Sequence, residues 1–433
     1  MIDINLLRSN PELFKENIKK KFQEQKLAIV DEVLKSDQDY RKLLAEAEQW
    51  RKKRNDISLS INAEKKQGKD IRHLLEEAKI IPDKIKATEE KAEALKTKRD
   101  TLLQTIPNII DKAVPLGKDA SQNVVRKTVG KPKAFTFPIK NHVELAENLG
   151  LVDFEASAKM AGNGFYFLKG DLALLNQALL RFVIDFMCKK GYEYIEPPLM
   201  MHREVLAAAT DTETFKDSIY TVEGDDLCLI GTSEYALCGM MMGKTLIEKE
   251  LPKKFYSYSM CFRKEIGSHG INEKGLWRNH QFNKVEQFIF CKPEDSPKYY
   301  DELLKNTEQI FAALKLPYRV LEMCSGDLAT WKTRSADVEV WRPTTKEYGE
   351  VASLTNCTDF QARNLNIKVI RNNGEKTVLH TLNNTALATS RAMVAILENY
   401  QKKDGTVKVP TVLQKYMLGK KVIGKKDRPI SKK

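Results

Sequence analysis

The feature that most constrains this chain is a pair of long apolar series within its first hundred residues. From residue 29 to 61, and again from 74 to 106, apolar side chains recur mostly at steps of three and four. Such steps average about 3.5 residues, which is the period of a coiled coil. A polar segment with a single glycine, Gly68, lies between the two series. The pattern therefore predicts two long antiparallel helices that form a hairpin arm over about 27–106.

The predicted arm is too thin to be a compact domain by itself. About 40 residues per helix, at a rise of ~1.5 Å each, would make it roughly 60 Å long. Pro82 lies within the second series, so a kink or a restart of the helix is expected there. Lysines, arginines and glutamates are mixed on its outer faces. This mixture is typical either of a solvated helical surface or of a lever that contacts a nucleic-acid backbone, and the arm alone leaves both interpretations open.

The composition restricts the class of protein. Of 433 residues, 42% are hydrophobic and 30% are charged, which is enough for a sizeable core and excludes global disorder. The 72 basic residues exceed the 59 acidic ones by 13, and this excess favours a polyanionic partner without establishing one. No run approaches the roughly 18–20 apolar residues that span a bilayer, and the amino terminus lacks a signal pattern. We therefore expect a cytoplasmic protein that is not membrane-bound.

The cysteines support the same expectation. There are seven of them, an odd number, spread from Cys188 to Cys357 without a CxxC pair. Scattered thiols of this kind are typical of a reducing compartment rather than of a disulfide framework. Their spacing also fits no zinc site, so no zinc is expected.

Changes in composition divide the chain into four parts. Residues 1–112 contain the arm. Residues 113–140 are rich in lysine, valine, glycine and proline without a period, which predicts a linker with a short strand at 134–138. Mixed helix and strand signals fill 141–415, and 416–433 form a basic tail with little apolar content to pack.

Two β-prone runs, 255–262 and 281–290, predict an antiparallel pair joined by a long polar loop. Because side chains alternate faces along a strand, two groups of residues are expected to share faces: Arg263 with Glu265, and Phe282 with Lys284 and Glu286. A guanidinium group could hold a phosphate or a carboxylate, and an aromatic ring could stack on a purine. Ion pairing along an exposed sheet explains the same residues equally well.

Two further segments are each open to two interpretations. Thr232 and Glu234 would lie on one side of an extended segment as a site for an ammonium group, whereas a helix N-cap is the commoner explanation of a Thr-Ser-Glu triplet. Arg391 is the only charge in an apolar stretch, 385–397. Arginine is almost never fully buried without a partner, so Arg391 requires either a core carboxylate or an anionic ligand.

Glu350 and Ser353 provide hard oxygen atoms of the kind that Mg²⁺ binds beside a polyphosphate, although a strand with a surface acid would look the same. The chain contains neither GxxxxGK[ST] nor GxGxxG. A phosphate group would therefore not be held by a Walker or a Rossmann loop.

The order of these segments carries more information than any one of them. A helix and strand that end at Pro198 are followed by TSE, FRKE…GLWRNHQFNKVEQF, GEVAS…NCTDFQAR and TLNNTALATSRAMVAILENYQ, all after the hairpin arm. This series resembles the seryl-tRNA synthetases, which are class II aminoacyl-tRNA synthetases. The resemblance covers essentially the whole chain.

The resemblance implies an α+β fold, in which an antiparallel-sheet class II catalytic domain follows a long antiparallel α-helical coiled-coil arm. It implies activation of L-serine by ATP with Mg²⁺, and transfer of the seryl group to serine tRNA and selenocysteine tRNA. It also implies a homodimer and an arm that contacts tRNA, with no membrane or DNA partner. By position, the residues that match the serine site are Thr232, Glu234, Arg263, Glu286 and Thr385.

The residues that match the ATP site are Arg263, Glu265, Phe282, Glu350, Ser353 and Arg391, and the resemblance gives catalytic roles to Arg263, Glu350 and Arg391. Within this set, Glu265 would face the adenine amino group, Phe282 would stack on the ring, and Arg391 would cover its other face. Glu350 and Ser353 would hold Mg²⁺ with ATP. Two rival functions are less favoured. One is an adenylate-forming relative with a non-tRNA acceptor, against which the long arm at 27–106 argues. The other is a nucleic-acid-binding protein that no longer catalyses, against which the intact Arg263, Glu286, Glu350 and Arg391 argue.

Overall fold

The computed structural model describes residues 1–210, 216–265 and 274–424. The described chain divides into two compact units, Met1–Pro107 and Asn108–Lys433. The middle of the polar loop predicted between the two β-prone runs, 266–273, lies outside the described residues, as does the basic segment 425–433.

The first unit is helical. Asp3 and Asn10 begin its two short helices as N-caps, because each side chain accepts a backbone N–H group of the first turn. Two long helices follow and pack along each other as the predicted hairpin arm. The helices are α1 (Ile4–Ser9), α2 (Pro11–Lys20), α3 (Leu27–Lys66) and α4 (Arg72–Thr105), with a short 3₁₀ turn at Glu24–Lys26.

The arm is confirmed, and of the two expectations at Pro82, a kink or a restart, the restart is excluded. Helix α4 runs through Pro82 without a restart. The turn between α3 and α4 contains Gly68 at a φ of 70°, a left-handed conformation that glycine adopts without strain. Near the tip of the arm, apolar side chains of both helices form a buried cluster: Ile57, Leu74, Ile81 and Ile85.

An ion cluster replaces apolar packing nearer the base of the arm. Asp37 has a fully buried side chain, and its two oxygens accept hydrogen bonds from three arginines, Arg8, Arg41 and Arg99. The shortest of these contacts is 2.7 Å, from Arg8 Nε to Asp37 Oδ2. Arg99 interrupts the second apolar series in the sequence, and its ion pair with Asp37 is the reason that the position tolerates a charge.

The second unit is built on a mixed but mainly antiparallel sheet. Within the described residues it has eight strands: β1 (Val124–Val129), β2 (Glu193–Tyr194), β3 (Lys253–Phe262), β4 (Gln281–Cys291), β5 (Tyr318–Glu322), β6 (Arg334–Arg342), β7 (Glu347–Thr358) and β8 (His380–Ala388). Their spatial order is β1-β5-β6-β7-β8-β4-β3-β2. Neighbouring strands are antiparallel except for β2 and β3, which are parallel.

Helices cover the sheet and bury its apolar side chains. They are α5 (His142–Asn148), α6 (Phe154–Ala161), α7 (Gly170–Lys189), α8 (Arg203–Ala209), α9 (Ser233–Gly239), α10 (Ser296–Ala313), α11 (Phe360–Asn364) and α12 (Thr389–Tyr400). Leucines and valines of α7 are fully buried in one core with the aliphatic residues of β4, β6 and α12. Helix α7 ends with Lys189 in its last turn and with Gly191 in a left-handed conformation just after it.

Short strands complete this unit in four small sheets. They pair Val152–Asp153 with Phe167–Leu168, Met200–His202 with Leu227–Leu229, Lys368–Ile370 with Thr245–Ile247 and Lys376–Val378, and Val407–Lys408 with Val422–Ile423. Further 3₁₀ turns lie at Ala120–Gln122, Lys216–Ser218, Glu248–Glu250, Pro293–Asp295 and Thr411–Met417.

Two local predictions are wrong. The strand expected at 134–138 lies instead at Val124–Val129, where the chain pairs with β5 at the edge of the main sheet. The beginning of the expected tail is also packed, because Ile423 is fully buried and Lys420 Nζ lies 2.8 Å from Asp171 Oδ1. In both places a few valines and isoleucines between lysines are sufficient to form a strand.

The described helices and cysteines give two general properties of the chain. None of its described helices is both long enough and apolar enough to cross a bilayer. All seven cysteines lie in the described residues and are free thiols, six of them buried and Cys188 exposed.

Candidate active site

A cavity of about 460 Å³ opens beside strands β3, β4, β6, β7 and β8. A volume of this size suits a small-molecule ligand. Its wall contains all ten residues singled out from the sequence: Thr232, Glu234, Arg263, Glu265, Phe282, Glu286, Glu350, Ser353, Thr385 and Arg391. Side chains that are separated by up to 159 positions in the sequence, from Thr232 to Arg391, therefore share one space.

Arg263 lies immediately after the end of β3 and points into this cavity. Its backbone N–H group donates to the carbonyl oxygen of His280 at 2.9 Å, and its Nε donates to the carbonyl oxygen of Gly231 at 3.1 Å. Its guanidinium carbon lies 5.3 Å from the centre of the Phe282 ring. These contacts fix a cation and an aromatic plane next to each other, as a nucleotide site requires.

Glu265 reaches the cavity by a route that the sequence did not indicate. Strand β3 ends at Phe262, so the alternation of a strand does not extend to Arg263 and Glu265. Glu265 has a φ of 51°, in the left-handed region, and its Oε2 lies 3.4 Å from Arg278 Nη1. The expectation of a shared strand face is therefore wrong, although both side chains line the cavity.

Thr232 is a helix N-cap, which was the commoner of its two interpretations. Its side-chain oxygen accepts the backbone N–H of Glu234 at 3.2 Å and begins α9. The capped turn places Thr232 and Glu234 in the cavity wall. Burial and the nearby charge of Glu286 raise the pKa of Glu234 to about 7.

Glu286 and Thr385 face each other across strands β4 and β8. They are directly paired in the register, and Thr385 Oγ1 donates to Glu286 Oε2 at 3.3 Å. Lys284 Nζ lies 2.6 Å from the same oxygen, and both charged side chains are almost completely buried. A buried carboxylate with a hydroxyl group and an ammonium group on it can bind a further small polar group with high selectivity.

Arg391 obtains its partner from strand β7. Its Nη1 donates to the carbonyl oxygen of Glu350 at 2.8 Å and lies 3.3 Å from Glu350 Oε2. Burial alone would raise the pKa of Glu350, but the guanidinium groups of Arg391 and Arg263 outweigh it and hold that pKa below its usual value. Arg391 is 22% exposed, so the ion pair leaves part of the guanidinium group facing the cavity.

A bulge in β7 brings Glu350 and Ser353 to the same cavity. Asp337 pairs with Ser353, and Val338 pairs with Ala352, but the next pair is Glu339 with Glu350. The extra residue shifts the alternation of side chains by one position. Without the bulge, the period of a strand would place residues 350 and 353 on opposite faces.

Asp337 is a cavity residue that sequence reasoning missed. Its Oδ1 is buried without a hydrogen-bond partner among the described residues. Burial and the adjacent charge of Glu350 raise its pKa above the usual value. Two carboxylates beside the Ser353 hydroxyl group, one of them with an unpaired oxygen, fit the oxygen chemistry that Mg²⁺ prefers.

Trp277 is a second residue that the sequence did not single out. Its ring lies close to two guanidinium groups, with its centre 4.3 Å from Arg342 Cζ and 5.4 Å from Arg391 Cζ. Gly349 leaves room for this ring, because a Cβ atom there would lie 2.5 Å from the Trp277 ring. Trp277 therefore supports one side of Arg391 at the edge of the cavity.

Comparisons with known proteins identify the family of this chain. A model of the seryl-tRNA synthetase N-terminal domain matches residues 1–110, and a model of the class II tRNA synthetase core domain (G, H, P, S and T) matches 217–400. The serine–tRNA ligase of Methanocella arvoryzae is 46% identical over 421 residues, which cover 97% of this chain and 99% of that protein. The chain belongs to the seryl-tRNA synthetases. The predicted family and fold class are thus confirmed.

Solved structures of seryl-tRNA synthetases match almost the full length. The structure from Pyrococcus horikoshii complexed with ATP has a TM-score of 0.91 at 41% identity and covers 98% of this chain and 99% of its own. The cytoplasmic enzyme of Naegleria fowleri in complex with AMP has a TM-score of 0.85 at 35% identity, with 98% of each chain covered. Both titles name an adenine nucleotide as the ligand of those proteins.

Two cavity residues of this seryl-tRNA synthetase were missed for different reasons. Asp337 comes to the cavity through the pairing of β6 with β7, outside any recognisable local motif, whereas Trp277 lies within the GLWRNHQ segment but received no role of its own. The signal for Asp337 in the sequence was only weak, since it lies between Ala336 and Val338 but is followed two residues later by a second acid, Glu339. A buried acid at such a position indicates a ligand or a paired charge.

Proposed function

We propose that this chain is a serine–tRNA ligase that activates L-serine with ATP and transfers the seryl group to the 3′ end of serine tRNA. The observation that carries this proposal is the convergence of ten predicted substrate residues in one cavity of a seryl-tRNA synthetase fold. Two further arginines, Arg278 and Arg342, lie in or beside the same region and add to its positive charge.

In this proposal, one group of cavity residues binds serine. Glu234 and Thr232 bind the ammonium group of serine, and Arg263 binds its carboxylate. The side-chain hydroxyl group is read by Glu286 and Thr385, which are already held 3.3 Å apart. Alanine would leave these buried polar groups without a partner, and such a loss can be worth ~10⁴ in discrimination. Threonine carries the hydroxyl group, so its extra methyl must be excluded by size.

ATP lies beside the serine site. Phe282 stacks on the adenine ring, and Glu265 accepts a hydrogen bond from the adenine amino group. Arg391 covers the opposite face of the ring and neutralises the polyphosphate. Arg263 stands between the two substrates, where it contacts the α-phosphate as well as the serine carboxylate. The fixed cations supply positioning and charge stabilisation, which are the main contributions that a protein makes to this type of reaction.

Glu350 and Ser353 would hold Mg²⁺ with the phosphates, and Asp337 fits as a further oxygen ligand because its Oδ1 is unpaired. Among the described residues no group of three or more His, Cys, Asp or Glu is arranged to hold a metal ion. Mg²⁺ is commonly bound by one or two carboxylates while substrate phosphates and water complete its shell. When bound, the ion would neutralise phosphate charge.

The reaction has two steps in this cavity. A carboxylate oxygen of serine attacks the α-phosphorus of ATP, the bond from that phosphorus to the bridging oxygen breaks, and pyrophosphate leaves. A hydroxyl group of the terminal adenosine of the tRNA then attacks the carbonyl carbon, and AMP leaves. Arg263 remains on the α-phosphate through both steps, so that charge stays neutralised as the leaving group changes.

The arm and the assembly complete the proposal. The lysines and arginines of α3 and α4 contact the backbone of serine tRNA, as the lever interpretation requires, and selenocysteine tRNA would bind the same surface. A homodimer in the cytoplasm is part of the same proposal. It is supported by the family and, for the location, by the seven free thiols.

ATP–pyrophosphate exchange, measured separately with each amino acid, tests this function. Exchange is expected with serine and to fall by about 10³ to 10⁴ with alanine or glycine, since neither supplies a hydroxyl group. Equal exchange with alanine would contradict the role of Glu286 and Thr385. Charging of purified serine tRNA separates the rivals. A relative with a non-tRNA acceptor would exchange but not charge tRNA, and a protein that no longer catalyses would do neither.

A further inference from the structure

Gln361 lies behind the cavity wall and is completely buried. It belongs to the short helix α11, which follows β7, and its side chain reaches three other elements: α8, α9 and β8. A buried amide must satisfy both its donors and its acceptor, so its partners define how it is oriented.

The partners of Gln361 fix that orientation. Its Nε2 donates to the carbonyl oxygen of Ala209 at 2.8 Å and to Glu234 Oε1 at 2.9 Å. Its Oε1 accepts the hydroxyl hydrogen of Thr381 at 2.7 Å and lies 3.9 Å from Cys238 Sγ. A carbonyl oxygen can only accept, so Ala209 requires the nitrogen on its side, and the amide cannot be reversed.

This orientation determines what Glu234 presents to the cavity. One carboxylate oxygen is occupied from behind by the amide N–H, which leaves the other for the cavity that Glu234 lines. A hydrogen bond to a charged acceptor is stronger than one between neutral groups, and it favours the ionised form.

The charges around Glu234 make that support necessary. Glu286 on β4 and burial both disfavour the carboxylate and raise the pKa of Glu234 to about 7, while Lys284 on β4, Lys332 before β6 and the Gln361 hydrogen bond act in the opposite direction. The other titratable groups near it are Tyr235 and Cys238 on its own helix and Cys357 on β7. Burial raises the pKa of these three groups, so they stay neutral near pH 7.

We infer that Gln361 is a positioning residue that fixes Glu234 to bind the ammonium group of the amino-acid substrate. It does so without touching that substrate. The inference rests on the proposed serine site and adds a residue that acts from outside the cavity. Its consequence is that affinity for the amino acid, and the pH at which that affinity is gained, depend on a glutamine on another helix.

Gln361→Met tests the inference, because methionine has a similar volume and cannot donate a hydrogen bond. In serine-dependent ATP–pyrophosphate exchange at pH 7, we expect the KM for serine to rise about 10-fold or more while the KM for ATP changes less than about 2-fold. The acid limb of kcat/KM for serine should move to higher pH, because the carboxylate has lost a hydrogen bond that favours its charged form.

Two further variants separate positioning from general stability. Thr381→Val removes the hydroxyl group that holds the amide from the other side, and it should shift the same acid limb by a smaller amount. Gln287→Met removes another completely buried amide, which contacts Leu303, Asn306 and Thr307 instead of Glu234. This variant should lose thermal stability like Gln361→Met, with the wild-type acid limb.

A wild-type serine KM and acid limb in folded Gln361→Met would overturn the inference. So would an equal effect in Gln287→Met, because a merely structural amide would then suffice. If Gln361→Met does not fold, Thr381→Val decides: an unshifted acid limb sinks the inference and a shifted one supports it. An absence of serine-dependent exchange in the wild-type protein would instead contradict the proposed function.

Discussion

The arm and the cavity use charged residues in opposite ways. Along most of the arm, arginines and lysines are exposed and pair with glutamates that are themselves exposed, as Arg51 does with Glu48 and Glu89. In the cavity, Lys284 and Glu286 are almost fully buried and in contact. An exposed ion pair contributes little because water screens it, whereas a buried one is costly to break. The difference teaches that the same residue types form screened surface pairs along most of the arm and buried, fixed pairs in the cavity.

The largest effect is expected from Arg391→Ala, which tests whether activity depends on the exact position of one charged residue in the cavity. ATP–pyrophosphate exchange should fall by about 10³ or more, because Glu350 loses its counter-charge and the polyphosphate loses a cation. The melting temperature should stay close to that of the wild type. Arg181→Ala is the matched control, since Arg181 is 67% exposed and pairs with Asp185 on the surface of α7. Wild-type exchange in Arg391→Ala would return that residue to a structural role.

Asp37→Ala tests an ion cluster of the arm that is buried, as the charged residues of the cavity are. Three arginines would be left around an empty buried position, so the free energy of unfolding of the first unit should fall by about 3 kcal/mol. Burial opposes ionisation of Asp37, but Arg8 and Arg99 outweigh it and lower its pKa. A carboxyl group with a lowered folded-state pKa contributes its stability above its unfolded pKa and loses it as the pH falls through the folded value.

Chemical denaturation of the wild type and of Asp37→Ala at neutral pH, and again below the lowered folded-state pKa of Asp37, measures this contribution. The two curves should be well separated at neutral pH and converge in acid. Exchange activity should be unaffected, because Asp37 belongs to the first unit. A neutral-pH difference below about 0.5 kcal/mol would mean that this cluster behaves like an exposed ion pair.

Shortening the arm tests whether tRNA binding depends on the number of basic residues along it. Arg51 pairs with Glu89 across the hairpin, so replacing 48–86 by a short glycine-serine loop removes the outer part of both helices while keeping Asp37 and its partners. Charging of serine tRNA should fall by about 50-fold or more in kcat/KM, and its salt dependence should weaken, because fewer phosphates are neutralised. Serine-dependent exchange should stay within about 2-fold. Unchanged charging would favour the solvated-surface interpretation of the arm.

The smallest of these effects is expected from Gly349→Ala, which tests how closely the cavity is packed. The added Cβ would lie 2.5 Å from the Trp277 ring, so the ring must move and Arg391 loses its support. Displacement of a substrate-binding group by a fraction of an ångström should lower kcat/KM for ATP about 10-fold. Gly424→Ala is the control, because its Cβ would lie 2.5 Å from Leu149 and outside the cavity wall. It should reduce thermal stability and leave the KM for ATP unchanged.

The sequence predicted the arm from local pattern alone, since a coiled-coil period repeats within every seven residues. The ends of β3 and β4 were also predicted from local pattern, within one or two residues, because runs of β-prone residues mark them. The roles of Asp337 and Gln361 could not be predicted in this way. Asp337 reaches the cavity because β6 pairs with β7, and Gln361 reaches Glu234 because α11 packs against α8 and β8, from where its side chain extends to α9. Such contacts depend on tertiary structure, which overrides local pattern.

The extra residue in β7 has a consequence for how this chain can change in length. Beyond it, every side chain of the strand faces the opposite way from the one that a regular ladder would give it. Removal of a single residue near Val351 would therefore turn Glu350 away from the cavity, while the amino acids themselves stayed the same. Substitutions in this strand act on one side chain at a time, whereas an insertion or a deletion would rearrange the whole floor of the cavity at once.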